Sequence, residues 1–278
     1  MNSILIKATT LPEVWEKAVE TCWNEGERIR TQYDRENDPP SCDCTMLLHV
    51  TSPLAEPRYH RGLCMGLDDL EKYVQEVVHG VHDHWMNDTS NPNRWTYTYH
   101  QRLFDYDGLN QIEKCVQLLK ECPYTRRAQA VTWQSWIDMD HDDPPCLQSI
   151  WLRIQDNKLN MNVRFRSNDL FKAAFPNMVA LTELQALIAR QLNVEVGGYI
   201  HLSDSMHIYG KDHNELQGFF ALLKKRTFAN RTWTSSSAAG TFVDGCTALL
   251  NEVDMPDEKK RLILERKAYW EQRHRAVS

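Results

Sequence analysis

Ile150-Trp-Leu-Arg-Ile-Gln-Asp156-Asn157-Lys-Leu159-Asn-Met-Asn-Val-Arg-Phe-Arg166 decides the fold of this chain. Leu159, Met161, Val163 and Phe165 alternate with Asn160, Asn162, Arg164 and Arg166. A period of two sends one set to each face of a β-strand, so this strand has an apolar face and a polar face. Asp156-Asn157 is a hairpin signal, and residues 150–154 supply the partner strand. The apolar face needs a cover. Residues 177–192 carry Leu181, Leu184, Leu187 and Ile188, an apolar stripe suited to a buried helix. From His201 to Tyr209 the period returns to two, with His201, Ser203, Ser205, His207 and Tyr209 on one face. This alternation predicts an α/β (α+β) fold in which residues 1–278 form a single domain, a mixed β-sheet packed by helices.

Further elements follow outward. Thr10-Leu-Pro12-Glu13 reads as a capping box with proline in the first turn, opening a helix through Val14, Trp15, Ala18, Val19, Cys22 and Trp23. Residues 28–41 are charged and breaker-rich, so they read as a loop. Residues 46–50 read as a strand, 70–78 as a helix stopped by Gly80, and 84–94 as a polar loop containing Asn91-Pro92. Residues 111–119 are helical by spacing. Asp212 to Glu215 reads as the capped start of a helix reaching Arg226. Ser235-Ser-Ser-Ala-Ala-Gly240 is flexible by composition, and residues 258–273 form a charged terminal helix.

The chemistry gathers at the ends of the central strands. Asp143-Pro144-Pro145-Cys146 precedes the first strand, and Arg166-Ser167-Asn168-Asp169 ends the second. A cysteine nucleophile needs cationic surroundings to populate its thiolate, and an anionic substrate needs forked cations to hold it. A cysteine is equally at home as a small buried hydrophobe. Adjacent arginines such as Arg126 and Arg127 commonly lie on a solvated surface, an asparagine at a helix start is commonly a cap, and His207 with Tyr209 suits a satisfied core pair. His79-Gly-Val-His82-Asp-His84, with His100, fits no clean metal-ligand spacing, so no metal is expected. Cys42-Asp-Cys44 reads as a loop pair.

Pro144-Pro145-Cys146, Arg166-Ser-Asn-Asp169, Asn177 and His207-Ile-Tyr209, with the earlier Tyr124-Thr-Arg126-Arg127, resemble the thymidylate synthase family in order and spacing. The resemblance is clear from Tyr97 to Tyr209 and faint on either side. Tyr97-Thr-Tyr99-His100-Gln-Arg102 and Pro-Cys-Leu are similar to the compact archaeal and phage-type branch, which also holds pyrimidine hydroxymethylases. The resemblance implies one catalytic domain over 1–278 that moves a one-carbon unit from 5,10-methylenetetrahydrofolate to C5 of a pyrimidine deoxynucleotide, dUMP first. Cys146 would add to C6 of the ring. Arg166 and Ser167 would meet the phosphate, with Arg126 and Arg127 lent by the second subunit of a homodimer. Asn177 would read the uracil edge, because an amide both donates and accepts. His207 and Tyr209 would meet the deoxyribose 3′-hydroxyl, and Asp169 the pterin.

Three departures stand out. Counting back from Gly80 to the family's catalytic glutamate lands on Tyr73, with Glu71 and Glu76 on either side. Asp143 occupies a position that is usually apolar, and Leu147 one that is usually histidine. A carboxylate beside the reacting carbon can bind a water, which would make the product 5-hydroxymethyl-dUMP. A turn cap before the prolines is the other reading of Asp143. Hydroxymethylation is the expectation by a narrow margin. Methylation to dTMP with dihydrofolate is the alternative, and a catalytically silent nucleotide-binding relative is the second.

Bulk properties set the frame. A net charge of −6 gives no global surface for nucleic acid, so cations for a phosphate must be concentrated locally. No apolar run approaches a membrane span, and Met-Asn-Ser-Ile-Leu-Ile-Lys is too short for a signal peptide. Eight cysteines without a signal read as reduced thiols of a cytoplasmic protein.

Overall fold

The computed structural model describes residues 2–87 and 95–276. Its strands are β1 (Ser3–Ala8), β2 (Glu27–Ile29), β3 (Ser41–Val50), β4 (Tyr59–His60), β5 (Gln129–Val131), β6 (Leu147–Gln155), β7 (Lys158–Asp169), β8 (Glu195–Ile208) and β9 (Thr232–Trp233). Its helices are α1 (Leu11–Glu25), α2 (Leu67–His79), α3 (Tyr99–Phe104), α4 (Gln111–Glu121), α5 (Ser135–Asp138), α6 (Ala174–Leu192), α7 (His213–Lys225), α8 (Ser235–Leu250) and α9 (Asp257–Arg275). Among the described residues, the main sheet runs β1-β3-β8-β7-β6-β5, with β2 also on β3. The β1–β3 and β7–β8 pairs are parallel and the rest antiparallel, so the sheet is mixed as expected. β4 and β9 pair separately.

The hairpin at the heart of the sequence forms as read. Asp156 and Asn157 both take positive φ, 52° and 57°, the left-handed pair that a two-residue turn with the sheet's twist requires. Register then carries the alternation across the whole sheet. Ile6, Leu48, His201, Val163 and Ile150 form one buried row. That row lies under α1 and α6. Leu5, Leu47, Leu202, Arg164 and Ser149 form a row on the opposite face, each exposed or half-buried. No described helix covers that second face.

Several local signals act as their chemistry dictates. Thr10 caps α1 by accepting from Glu13 N at 3.4 Å, while Glu13 reaches back to Thr9 N at 3.0 Å. Gly80 ends α2 at φ 63°; a Cβ there would sit 2.2 Å from His100 Nδ1, which leaves room only for glycine. Trp15, fully buried, donates its Nε1 to Leu170 O at 2.8 Å and ties α1 to the end of β7.

Four expectations change. Residues 235–240 are not flexible: they open α8, capped by Thr234, and their small side chains let α8 lie against α2. A Cβ on Gly245 would come within 2.5 Å of Asp68 O, so that approach needs glycine. Cys42 and Cys44 are not in a loop but in β3, buried beside Cys22 of α1. Asp212 does not cap α7; its carboxylate takes Lys172 Nζ at 2.8 Å instead. Asn177 is not a cap either, because α6 begins at Ala174 and turns its side chain inward. Of the polar loop expected at 84–94, Asp83–Asn87 forms a short 3₁₀ turn, and the remainder with Asn91-Pro92 lies outside the described residues.

A buried ionic network locks the helical layer. Arg266 of α9 donates to Glu71 of α2 at 2.8 Å and to Glu183 of α6 at 2.9 Å, and Arg58 reaches Glu183 at 2.6 Å. Two guanidinium groups outweigh burial at Glu183 and hold its carboxyl at about 2. Removing one partner from such a network costs about 3–5 kcal/mol, because a charge is left unpaired in the interior.

Candidate active site

Cys146 stands immediately before β6 on a short strap that Arg166 braces. The Arg166 guanidinium donates to Pro144 O at 2.6 Å and to Pro145 O at 3.1 Å, while its backbone N–H meets Cys146 O at 2.9 Å. Gln148 adds a bond to Pro145 O at 2.8 Å, and Leu147 N–H donates to the Tyr99 oxygen at 3.3 Å. Two prolines and five hydrogen bonds thus fix the thiol's position. Burial pushes the Cys146 thiol up; Arg166 pulls it down by less, and Asp143 adds to the rise. The expected cationic neighbour is therefore present, but in the free site the sulfur stays a thiol.

Beside the strap opens a cavity of about 430 Å³ whose walls include Tyr73, Glu76, Trp95, Tyr97, Tyr99 and Asp143. Burial, then the field of Cys146 among other groups, raises the phenols of Tyr73, Tyr97 and Tyr99, so all three remain hydroxyl donors. The two glutamates that flank Tyr73 part company here. Glu71 points into the helical layer, 1% exposed, and takes Arg266 through both oxygens. Glu76 faces the cavity, its Oε2 3.3 Å from His82 Nδ1. The His82 ring is itself stacked on Trp85, with centroids 3.9 Å apart.

Behind the Tyr73 wall lie the ends of β7 and β8 and the start of α6. Asn177 lies in the first turn of α6; its Oδ1 accepts from the Tyr73 hydroxyl, and its Nδ2 donates to Asn168 Oδ1 at 3.2 Å. Asp169 accepts from Phe171 N and Lys172 N, each at 3.0 Å. Burial raises its carboxyl to about 6, with Asp212 adding to the rise. His207, near the end of β8, keeps Nδ1 3.4 Å from Ser205 O, while its buried Nε2 has no protein partner. Burial holds its ring neutral. An unpartnered polar atom inside a protein points to a ligand group that completes it. Asp43, opposite His207 in register, has Oδ1 buried and unpartnered in the same way. Tyr209 follows, edge-on to the His207 ring at 4.5 Å and raised to about 12 by burial and then by Asp169. Ser167 sits opposite Ser205 in register, half-buried.

The structure thus gathers Cys146, Asp143, Arg166, Asn177, Asp169, His207 and Tyr209 at one end of the sheet. Arg126 and Arg127 are not among them. Both are exposed between α4 and β5, where Arg126 O accepts from Trp151 Nε1 at 3.1 Å. Trp151 shares the uncovered face of the sheet, in the row of Asn162, Ile200 and His49. The part of Tyr73 was concealed from the sequence, since a tyrosine on an amphipathic helix announces nothing. Asn168 was only an unassigned member of the Arg166–Asp169 motif, and His201 only a member of an alternating pattern. Of the histidines considered for a metal, His100 pairs with Asp83 at 2.6 Å and His82 with Glu76 and Glu252.

The sequence pattern of the family described as thymidylate synthase matches residues 64–265. The chain is 27% identical over 227 residues to "Putative thymidylate synthase" of Methanocaldococcus jannaschii, covering 78% of this chain and 96% of that one. It is 30% identical over 210 residues to the protein of the same name from Methanosarcina mazei, covering 75% and 90%. The fold is similar to that of a solved thermostable thymidylate synthase A from Bacillus subtilis, with a TM-score of 0.61 and 18% identity over 79% of this chain and 86% of that one.

Proposed function

Because the chain belongs to the thymidylate synthase family, we propose that it transfers a one-carbon unit to C5 of dUMP from 5,10-methylenetetrahydrofolate. The observation that carries this is the gathering of Cys146, Asn177 and His207 at one end of the sheet, with Asn177 bonded to the Tyr73 wall of the cavity and His207 Nε2 buried without a partner. Cys146 adds through sulfur to C6 of the ring, which makes C5 a carbon nucleophile. Asn177 holds the O4 and N3–H edge. Arg166 and Ser167 hold the phosphate, and His207 with Tyr209 the 3′-hydroxyl. Asp169, a half-buried carboxylate whose charge is felt by Tyr209, suits the N–H groups of a pterin, and the bound folate supplies the one-carbon unit. Glu76, the one acid of α2 that faces the cavity, is the group placed to move protons at the ring's O4 side.

The product depends on water. Asp143 lines the cavity and its charge is felt by Cys146 and Tyr97, which supports a reading in which its carboxylate holds a water for the reacting carbon. This favours 5-hydroxymethyl-dUMP. The methylation reading, dTMP, has its own support in the aromatic walls Tyr73, Trp95, Tyr97 and Tyr99, which exclude water. The uncovered sheet face, with Leu5, Leu47 and Leu202, suits a homodimer in which Arg126 and Arg127 complete the partner's phosphate site, and the domain spans residues 1–278.

The test is direct. The protein is incubated with C5-tritiated dUMP and 5,10-methylenetetrahydrofolate, tritium release is counted and the nucleotide is weighed. Release with 5-hydroxymethyl-dUMP and tetrahydrofolate is expected. Release with dTMP and dihydrofolate selects methylation. No release would leave a nucleotide-binding relative without turnover.

A further inference from the structure

A primary amide cannot by itself choose between uracil and cytosine. With Nδ2 toward O4 and Oδ1 toward N3–H it reads uracil. Turned half a revolution about Cβ–Cγ, it offers Oδ1 to the 4-amino group of cytosine and Nδ2 to its bare N3. Selectivity therefore belongs to whatever stops the amide from turning over.

In this chain Asn177 belongs to a run of five hydrogen-bonded side chains. The Tyr73 hydroxyl donates to Asn177 Oδ1, and Asn177 Nδ2 donates to Asn168 Oδ1 at 3.2 Å. Asn168 Nδ2 lies 3.0 Å from His201 Nε2, and His201 Nδ1 lies 3.0 Å from the Tyr199 oxygen. Asn168 is 3% exposed, and His201 and Tyr199 are fully buried, so no solvent can replace a lost partner. Phe165 stacks on the His201 ring at 4.6 Å and 13°, which holds the ring plane. Burial keeps His201 neutral, its ring held down at about 3, so it carries one proton. Asn168 donates to Nε2, so that proton is on Nδ1 and is given to Tyr199. Every donor in the run then points the same way, from Tyr73 toward Tyr199. Turning Asn177 over alone would set its Oδ1 against Asn168 Oδ1. Relief requires Asn168 and the His201 tautomer to turn with it.

We infer that Tyr199, His201, Asn168 and Tyr73 are positioning residues that fix the Asn177 amide in its uracil-reading orientation. This rests on the assignment of Asn177 to the base proposed above. The far end of the run is the sharpest handle, because Tyr199 is buried behind His201 and touches the base only through three intermediaries. Tyr199→Phe removes the acceptor for Nδ1–H. A buried unpaired N–H is worse than an unpaired lone pair, so the proton moves to Nε2, and Asn168 and Asn177 turn over in sequence.

The experiment measures the Kd of dUMP, dCMP and the base-free probe 2-deoxyribose 5-phosphate by calorimetry, on wild type and Tyr199→Phe, without folate. The wild type is expected to prefer dUMP. Tyr199→Phe is expected to move the dUMP-to-dCMP ratio at least tenfold toward dCMP while leaving the base-free probe unchanged. Tyr73→Phe, which removes one hydroxyl at the cavity wall, is expected to move it the same way and serves if the first variant does not fold. A ratio within twofold of wild type in a folded variant that binds dUMP overturns this inference and leaves the function standing. A wild type that binds dUMP and dCMP alike overturns it as well. A wild type that binds neither nucleotide overturns both.

Discussion

Cys146 is held by its neighbours more than it is activated by them. Its strap is fixed through Arg166 and Gln148, yet burial keeps the sulfur protonated in the free site. Cys146→Ser should leave dUMP binding within a few-fold of wild type and lower turnover by roughly 10³-fold or more, the scale seen when an enzyme's nucleophile is removed. Single-turnover tritium release together with nucleotide calorimetry checks both halves. Asp143 tests the water argument. Asp143→Leu should cut the yield of 5-hydroxymethyl-dUMP and raise the share of dTMP, read by mass, while dUMP affinity holds. An unchanged product distribution would remove Asp143 from the chemistry. Asp169 carries a signature in pH. Its carboxyl is raised to about 6 by burial, against about 3.9 in an unfolded chain. The unfolded state thus ionises first, and folding stability falls as pH rises from about 4 to about 6, then levels. Asp169→Asn abolishes that dependence. The difference in melting temperature, variant minus wild type, should grow over this window and stay constant above it.

At the scale of elements, the site depends on how closely helices stack behind the sheet. α2 brings Tyr73 and Glu76 to the cavity, and its position is set from behind by α8 and, through Arg266, by α9. Gly245→Ala places a Cβ 2.5 Å from Asp68 O, a backbone atom that cannot move without shifting the start of α2. Such overpacking costs roughly 1–3 kcal/mol. The expected outcome is a lower melting temperature and a higher KM for dUMP, since the Tyr73–Asn177 contact bridges α2 and α6. A variant with wild-type melting behaviour would show that α8 can slide freely over α2. The sequence of α8 misled for a physical reason. Serine, alanine and glycine in succession suit a flexible segment in isolation, and the same small residues suit a close helix crossing once a partner is present.

At the scale of the whole molecule, the unfilled requirement is cationic. Arg166 spends its guanidinium hydrogen bonds on the strap of Cys146, and Arg126 and Arg127 stand apart on the sheet edge beside the uncovered face. If those arginines serve a second subunit, two inactive variants are complementary. Arg126→Ala and Cys146→Ser proteins, mixed under conditions of subunit exchange, should recover up to about one quarter of wild-type activity, because a random heterodimer of two variants holds one intact site in half of the dimers. Absence of recovery where exchange is proven by mass labels would place the arginines in service of their own chain.

The sequence by itself determined the central hairpin, the helix of α6 behind it, the caps of α1 and α2 and the order of Cys146, Arg166, Asp169, Asn177, His207 and Tyr209. These are local matters: a period of two or 3.6, a left-handed turn and a capping oxygen are decided within a few residues. Only the tertiary structure decided which glutamate of α2 faces the cavity. Glu71 and Glu76 lie on one helix, and only packing against α9 sends the first into an ion pair and leaves the second at the site. The same holds for Cys42 and Cys44, whose burial comes from the packing of α1 on β3. It holds above all for the run from Tyr73 to Tyr199. Its members are up to 126 residues apart along the chain, and a hydrogen bond between distant side chains leaves no period in the sequence to read.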